Sequence, residues 1–273
     1  MNSSPVAAEA QTTTVRDLPF AAPAGGGTAD VTLSRQGEGR TYLLLHGGAG
    51  PRSVAGFAGL LAEHGPARVI VPTHPGFDGT PRPDRLDSVA GLARLYSALL
   101  DRLDLDGVTV VGNSIGGWTA AELALLHNPR VSGFVLVNAV GIVVPDAPVT
   151  DISGLTPYQL SQLSFHDPEP FRIDPATVTE QQAAVLAANR RTLGAYAGPA
   201  MGDPDLRGRL AGADSPTLVL WGESDGIVTP AYGRAFAEAV PGAEFRLLAG
   251  AGHLPQIETP EQLLTHLRDF GKR

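Results

Sequence analysis

The sequence predicts an α/β protein: a mostly parallel sheet flanked by helices, with a helical insertion near the middle of the chain. Three observations predict it. From residue 41 onward, short apolar runs of strand length alternate with amphipathic stretches of helical period. That alternation places parallel strands beneath helices on both faces. The rhythm stops over 141–205, a proline-rich stretch without a strand pattern, and resumes at 217. Finally, the 273 residues are 43% hydrophobic and 18% charged, a balance that supports a large core and excludes disorder.

Alternation at 28–35, with Val31 and Leu33 on one side, reads as a strand. The apolar run 41–45 ends in His46-Gly47-Gly48 and reads as a buried strand entering a glycine loop. A helix follows at 54–63, then a strand at 68–71 cut by Pro72. The stretch 86–103 carries Leu92, Leu95, Leu99 and Leu103 at helical steps. Strand 107–111, helix 115–126 and strand 131–137 continue the pattern. Within 141–205 two helical patches stand out, at 157–165 and 179–196. A long helical excursion between two sheet strands reads as a lid over a site. Strand 217–221, helix 231–240, strand 244–248 and helix 260–270 complete the chain. The expected organisation is a flexible N-terminal tail (1–27), a core made of 28–140 and 206–273, and a lid or cap (141–205).

Composition then narrows the chemistry. Lys and Arg total 20 against 28 Asp and Glu, a net charge of −8. No basic field exists to hold a phosphate backbone, so a nucleic-acid partner is not expected. No cysteine occurs, which excludes disulfides, thiolate metal sites and a cysteine nucleophile. Lys272 is the single lysine. The apolar stretch 131–144 is broken by Ser132, Gly133, Asn138 and Gly141 and is too short to span a bilayer. The N-terminus has neither the charged nor the apolar region of a signal peptide. The expectation is a cytoplasmic protein acting on a small-molecule substrate without metal or cofactor. Serine, histidine and carboxylates must carry its chemistry.

Residues 112–116, Gly-Asn-Ser-Ile-Gly, fit G-x-S-x-G between an apolar strand and a small-residue helix. That is the context of a nucleophile elbow, with Ser114 on a strained strand-to-helix turn. The helix behind it aims its N-terminal amides at the site. A serine hydroxyl needs a base. Among seven histidines, His253 lies in the glycine-rich loop 249–255 between the last strand and the last helix, where a sheet edge presents residues to a cleft. His46 and His74 read as shaping their loops. The base needs an acidic partner, and the loop after strand 217–221 offers Glu223 and Asp225; position favours Asp225.

Four segments now resemble the α/β-hydrolase superfamily, in order and over roughly 28–271: LLLHGGAG at 43–50, GNSIGGW at 112–118, LVLWGESDGIVTP at 218–230 and GAGHLPQIETPEQL at 250–263. The resemblance implies an α/β-hydrolase fold and the triad Ser114, Asp225 and His253. It also implies an oxyanion hole from the Ile115 and Gly48 amides, with Ala49 as the alternative to Gly48. The reaction it implies is cleavage of an ester, lactone or thioester bond through an acyl-enzyme. The alternative is the C–C bond hydrolases that act on ring-cleavage products. They resemble this chain in the elbow and the glycine loop but often carry Trp after the histidine, where Leu254 stands here. A third reading is a ligand-binding relative without turnover. Trp118, Tyr158, Phe165, Tyr196, Ile227 and Leu254 are the candidates to line a substrate pocket, with Phe171 beside them. Arg190 and Arg191 read first as a solvated helix face and second as partners for a substrate carboxylate.

Overall fold

The computed structural model describes residues 10–22, 25–64, 66–172 and 177–272. Its strands are β1 (Gln11–Ala22), β2 (Gly25–Gln36), β3 (Arg40–Leu45), β4 (Ala67–Pro72), β5 (Val108–Asn113), β6 (Val131–Val137), β7 (Thr217–Gly222) and β8 (Glu244–Leu248). They form one sheet in the order β1-β2-β4-β3-β5-β6-β7-β8. β1, β2 and β4 pair antiparallel, and β4 through β8 run parallel. Every residue of β5 and β7 is buried, as strands covered on both faces must be. Side chains alternate between two cores. Leu43 and Leu45 of β3 join the face packed by α2 (Val89–Arg102), α3 (Ile115–Ala124) and α7 (Pro230–Ala239). Tyr42 and Leu44 join the opposite face, under α1 (Arg52–Glu63) and α9 (Pro260–Phe270). The leucine row of α2 is buried as its spacing predicts, behind a Ser88 cap that accepts from the Gly91 amide.

The N-terminal expectation needs correcting. Residues 11–22 are strand β1, paired with β2 from Gln11↔Arg35 to Ala22↔Gly25. Leu18 and Phe20 anchor it in the core. Residues 1–9 of the expected tail lie outside the described residues.

The chain leaves the sheet after β6 and returns before β7. Gly141 and Gly202 meet there in an isolated parallel bridge, and the Asp203 amide donates to the Gly141 carbonyl at 2.8 Å. Arg209 adds a clasp, binding Glu122 with two nitrogens (2.9 and 2.7 Å) and Asp203 with one (2.6 Å). The excursion carries α4 (Pro157–Ser164) and α5 (Glu180–Ala197). Each begins with a capping box, Thr156 with Gln159 and Thr179 with Gln182. Among the described residues, no helix is long and apolar enough to cross a membrane.

Candidate active site

Ser114 connects β5 to α3 with φ 57° and ψ −118°, a left-handed conformation that a side chain adopts only when its surroundings enforce it. The surroundings do so by close approach. A Cβ on Gly112 would run into the Gly116 carbonyl, and one on Gly116 into the Leu45 carbonyl. Only glycine on both sides of the serine admits so tight a turn. Ser114 donates its amide to Val137 O at 3.0 Å. The Ile115 amide is then the first of the helix-start donors without a carbonyl inside the helix.

The loops after β7 and β8 bring Asp225 and His253 together. His253 Nδ1 lies 2.7 Å from Asp225 Oδ2, with the aspartate side chain fully buried. The other carboxylate oxygen accepts the Ile227 and Val228 amides at 2.8 and 3.0 Å. Those bonds aim Oδ2 at the imidazole and leave Nδ1–H as the donor. Glu223 does not reach the ring; its contact is the Gly250 amide at 3.4 Å. Asn113, the residue before the serine, donates from Nδ2 to the His253 carbonyl at 3.0 Å. Elbow and histidine loop are thereby tied to each other.

The glycine loop after β3 sits against the elbow. A Cβ on Gly47 would lie 3.2 Å from Ser114 Cβ. The turn closes through the Gly50 amide to Gly47 O at 3.1 Å, leaving the Gly48 and Ala49 amides at its tip. Gly48 is half-buried beneath Leu193 of α5, whereas Ala49 is exposed. Two buried histidines brace this loop. His46 Nε2 accepts the His74 amide at 3.0 Å, so its Nδ1–H donates to Gly47 O at 2.8 Å. His74 Nε2–H donates to His46 O at 2.9 Å, and its Nδ1 accepts from the Tyr96 hydroxyl. Both rings are neutral in this arrangement. Burial pushes the His46 pKa down to about 4 and His74 well below the usual histidine range, the latter aided by its neighbour His46.

The expected pocket residues scatter. Trp118 is buried in the core, its ring packed under Gly141. Tyr158 is exposed beneath Arg172, whose guanidinium lies 5.2 Å from the ring centroid. Phe165 stacks on Phe171 at 4.3 Å, Tyr196 is buried with its hydroxyl on Pro75 O at 2.8 Å, and Ile227 packs beside Asp225. Leu254 is half-buried before α8 (Pro255–Glu258). Arg190 and Arg191 are exposed. A cleft of about 500 Å³ opens between the first turns of α5 and the glycine loop after β3, lined by Ala49, Arg52, Asp78, Gln182, Val185, Leu186 and Asn189 among others. None of the six expected pocket residues lines it, and neither do the triad residues. Among the described residues, no group of three or more histidine and carboxylate side chains is placed to hold a metal ion.

A strained serine, an aspartate-oriented histidine and a glycine loop on a parallel sheet are one constellation, and the sequence as a whole agrees with it. Residues 42–265 match the model of the alpha/beta hydrolase family. The chain belongs to that family. As a hydrolase of this family it is 31% identical over 252 residues to a 2-hydroxymuconate semialdehyde hydrolase of Pseudomonas putida, covering 87% of this chain and 89% of that protein. A 2-hydroxy-6-oxo-6-(2'-aminophenyl)hexa-2,4-dienoic acid hydrolase of Metapseudomonas resinovorans is 26% identical, over 90% and 89% of the two chains. In fold, this hydrolase resembles a thermophilic esterase from Thermogutta terrifontis, with a TM-score of 0.73, 24% identity and coverage of 94% and 97%. A serine hydrolase from the polyaromatic hydrocarbon-degrading bacterium Cycloclasticus zankles superposes with a TM-score of 0.78 at 21% identity, over 96% and 98%.

Sequence reasoning missed the supporting residues of the hydrolase site. Asn138 donates from Nδ2 to Gly252 O at 2.7 Å and accepts the Gly222 amide at 2.8 Å. Gln256 Nε2 donates to Asn113 Oδ1 at 3.2 Å. Asn138 did leave a signal, a polar residue inside an otherwise apolar strand end.

Proposed function

We propose that this chain is a serine hydrolase that cleaves the C–C bond beside an aldehyde or ketone carbonyl in a small unsaturated oxo acid. The observation that carries the bond type is the similarity to hydrolases of 2-hydroxymuconate semialdehyde and of hydroxy-oxo-dienoic acids. What carries the hydrolase chemistry is the 2.7 Å contact of Asp225 with His253 on a loop bonded to the serine elbow.

Ser114 Oγ attacks the carbonyl carbon while His253 takes its proton, and Asp225 stabilises the imidazolium that forms. The oxyanion is held by the Ile115 amide and the Gly48 amide, with Ala49 next to it. Collapse of the intermediate breaks the C–C bond, and its electron pair moves onto the departing fragment. The charge is delocalised once the dienol has passed to its keto form, with its hydroxyl proton moved to the carbon that leaves; the fragment then departs as a dienolate and takes a proton from His253. Water, deprotonated by His253, then releases the acyl group as an acid. The distal end of the substrate lies in the cleft beside Ala49, where Arg52 is the one cation among the described lining residues. Its ion pair with Asp78 is long, 3.5 Å, and the arginine side chain is 82% exposed, so the guanidinium is available to a substrate carboxylate.

Ester cleavage is the second reading, favoured by one feature: Leu254 in place of the tryptophan common in C–C hydrolases. Rates on 2-hydroxymuconate semialdehyde and on p-nitrophenyl acetate separate the two, with the first expected to exceed the second in kcat/KM by at least about tenfold. Turnover of esters alone discards the C–C reading. Ser114→Ala is expected to lower kcat by roughly 10⁴ or more on whichever substrate is turned over; an unchanged rate refutes the mechanism.

A further inference from the structure

All four backbone polar groups of Gly252 and His253 are committed. Two bonds come from asparagines at the ends of neighbouring strands: Asn138 to Gly252 O at 2.7 Å and Asn113 to His253 O at 3.0 Å. The other two reach toward the excursion. The His253 amide donates to Ser164 O at 2.7 Å, at the last turn of α4. The Gly252 amide donates to Glu258 Oε2 at 2.7 Å, and the second oxygen of that carboxylate accepts the Asp167 amide at 2.9 Å. Glu258 thus adds a second tie between two segments already joined by the His253 amide and Ser164 O. With the peptide fixed on every side, the imidazole has only its own two torsions left, and Asp225 sets those.

We propose that Glu258 is a positioning residue for the base, a two-pronged staple that fixes the peptide before His253 against residue 167 of the excursion. This rests on the reading of His253 as the general base. Charge-assisted bonds to amides are short and roughly twice as strong as neutral ones, and both prongs have that length. Losing them frees the Gly252 peptide to shift, and an ångström of misplacement at a base costs up to about a hundredfold in rate. The staple acts on kcat because substrate does not touch it.

Two mild variants test this on the intact chain, with the substrate that the wild type turns over. Glu258→Gln keeps the reach and one acceptor oxygen, which turns to the Gly252 amide. Glu258→Asp keeps the charge but is one methylene too short for both prongs. The expected result is a kcat reduced at least about tenfold in both variants, because the glutamine NH2 cannot accept the Asp167 amide and the aspartate cannot reach both segments, with KM within about twofold. A kcat within about threefold of wild type in E258Q shows that the tie to residue 167 does not position the base and overturns the proposal. Equal kcat in all three proteins, with a shifted melting temperature in the variants, shows a structural role alone and overturns it as well. A wild type inactive on both substrate classes refutes the hydrolase reading instead.

Discussion

The two arms of the excursion bind the core in different ways. The first arm reaches the acid–base side largely through main-chain groups. Leu163 O and Ser164 O accept the Gly226 and His253 amides, and the Thr150 amide donates to Ile227 O. The second arm reaches the oxyanion side through side chains of one helical stripe. Asn189 holds Asp78 through two bonds, Thr192 donates to Gly76 O at 3.0 Å, Tyr196 donates to Pro75 O, and Leu193 covers Gly48. These positions lie three and four residues apart, one face of α5. The first turns of that helix, residues 180–184, are exposed above the cleft. The difference teaches that the Asp225 and His253 loops are held by main-chain bonds, whereas the glycine loop after β3 is covered by a helix tied down along one stripe.

Asp225→Asn breaks the acid–base side alone. Its Oδ1 can still accept the Ile227 and Val228 amides, but the amide nitrogen facing His253 imposes the wrong tautomer. The expected loss is about 10⁴ in kcat. Glu223→Gln, which leaves that contact untouched, stays within about twofold in the same steady-state assay. Comparable losses in both variants would show that Asp225 does not orient the base.

Acid tests the oxyanion side. His46 titrates at about 4 in the folded protein against 6.5 for the free side chain. Between those values the unfolded chain binds a proton that the folded chain refuses, so stability falls as pH drops from 6.5 toward 4. For His46 alone the loss approaches about 3 kcal/mol, and His74 shifts in the same direction. Urea midpoints at pH 7 and pH 4.5 measure it, and an unchanged midpoint sinks the account of two neutral histidines beneath the loop.

The smallest effect sharpens the cleft. Arg52→Gln is expected to raise KM for an acidic substrate by roughly tenfold, about 1.4 kcal/mol, with kcat unchanged. KM for a neutral ester should not move. Equal changes for both substrates would remove the carboxylate from that cleft.

Much of this was legible in local pattern. Strand and helix periods carry the fold, and the elbow is readable because its glycines, serine and flanking elements are contiguous. β1 was hidden by its own geometry. Asp17 sits at φ 51° and the pairing shifts between Val15 and Leu18, so the alternation that marks a strand is broken. The supports of His253 were hidden for another reason. Asn138 and Gly252 are 114 residues apart, and Glu258 and Asp167 are 91, and no local pattern records such a pairing. The cleft left no aromatic signal, because its lining mixes Val185 and Leu186 with Arg52, Gln182 and Asn189.

The bridge between Gly141 and Gly202 has a consequence for inheritance. The excursion is pinched at its base, so β6 and β7 are joined there by contacts that involve none of the residues between 142 and 201. That join asks nothing of the side chains in between. Two other ties do constrain the segment: the stripe of α5 that holds 75–78, and a helix that ends where residues 163 and 164 offer their carbonyls. Main-chain acceptors carry no side-chain requirement, so that sequence is free to drift while its service to the catalytic loops persists.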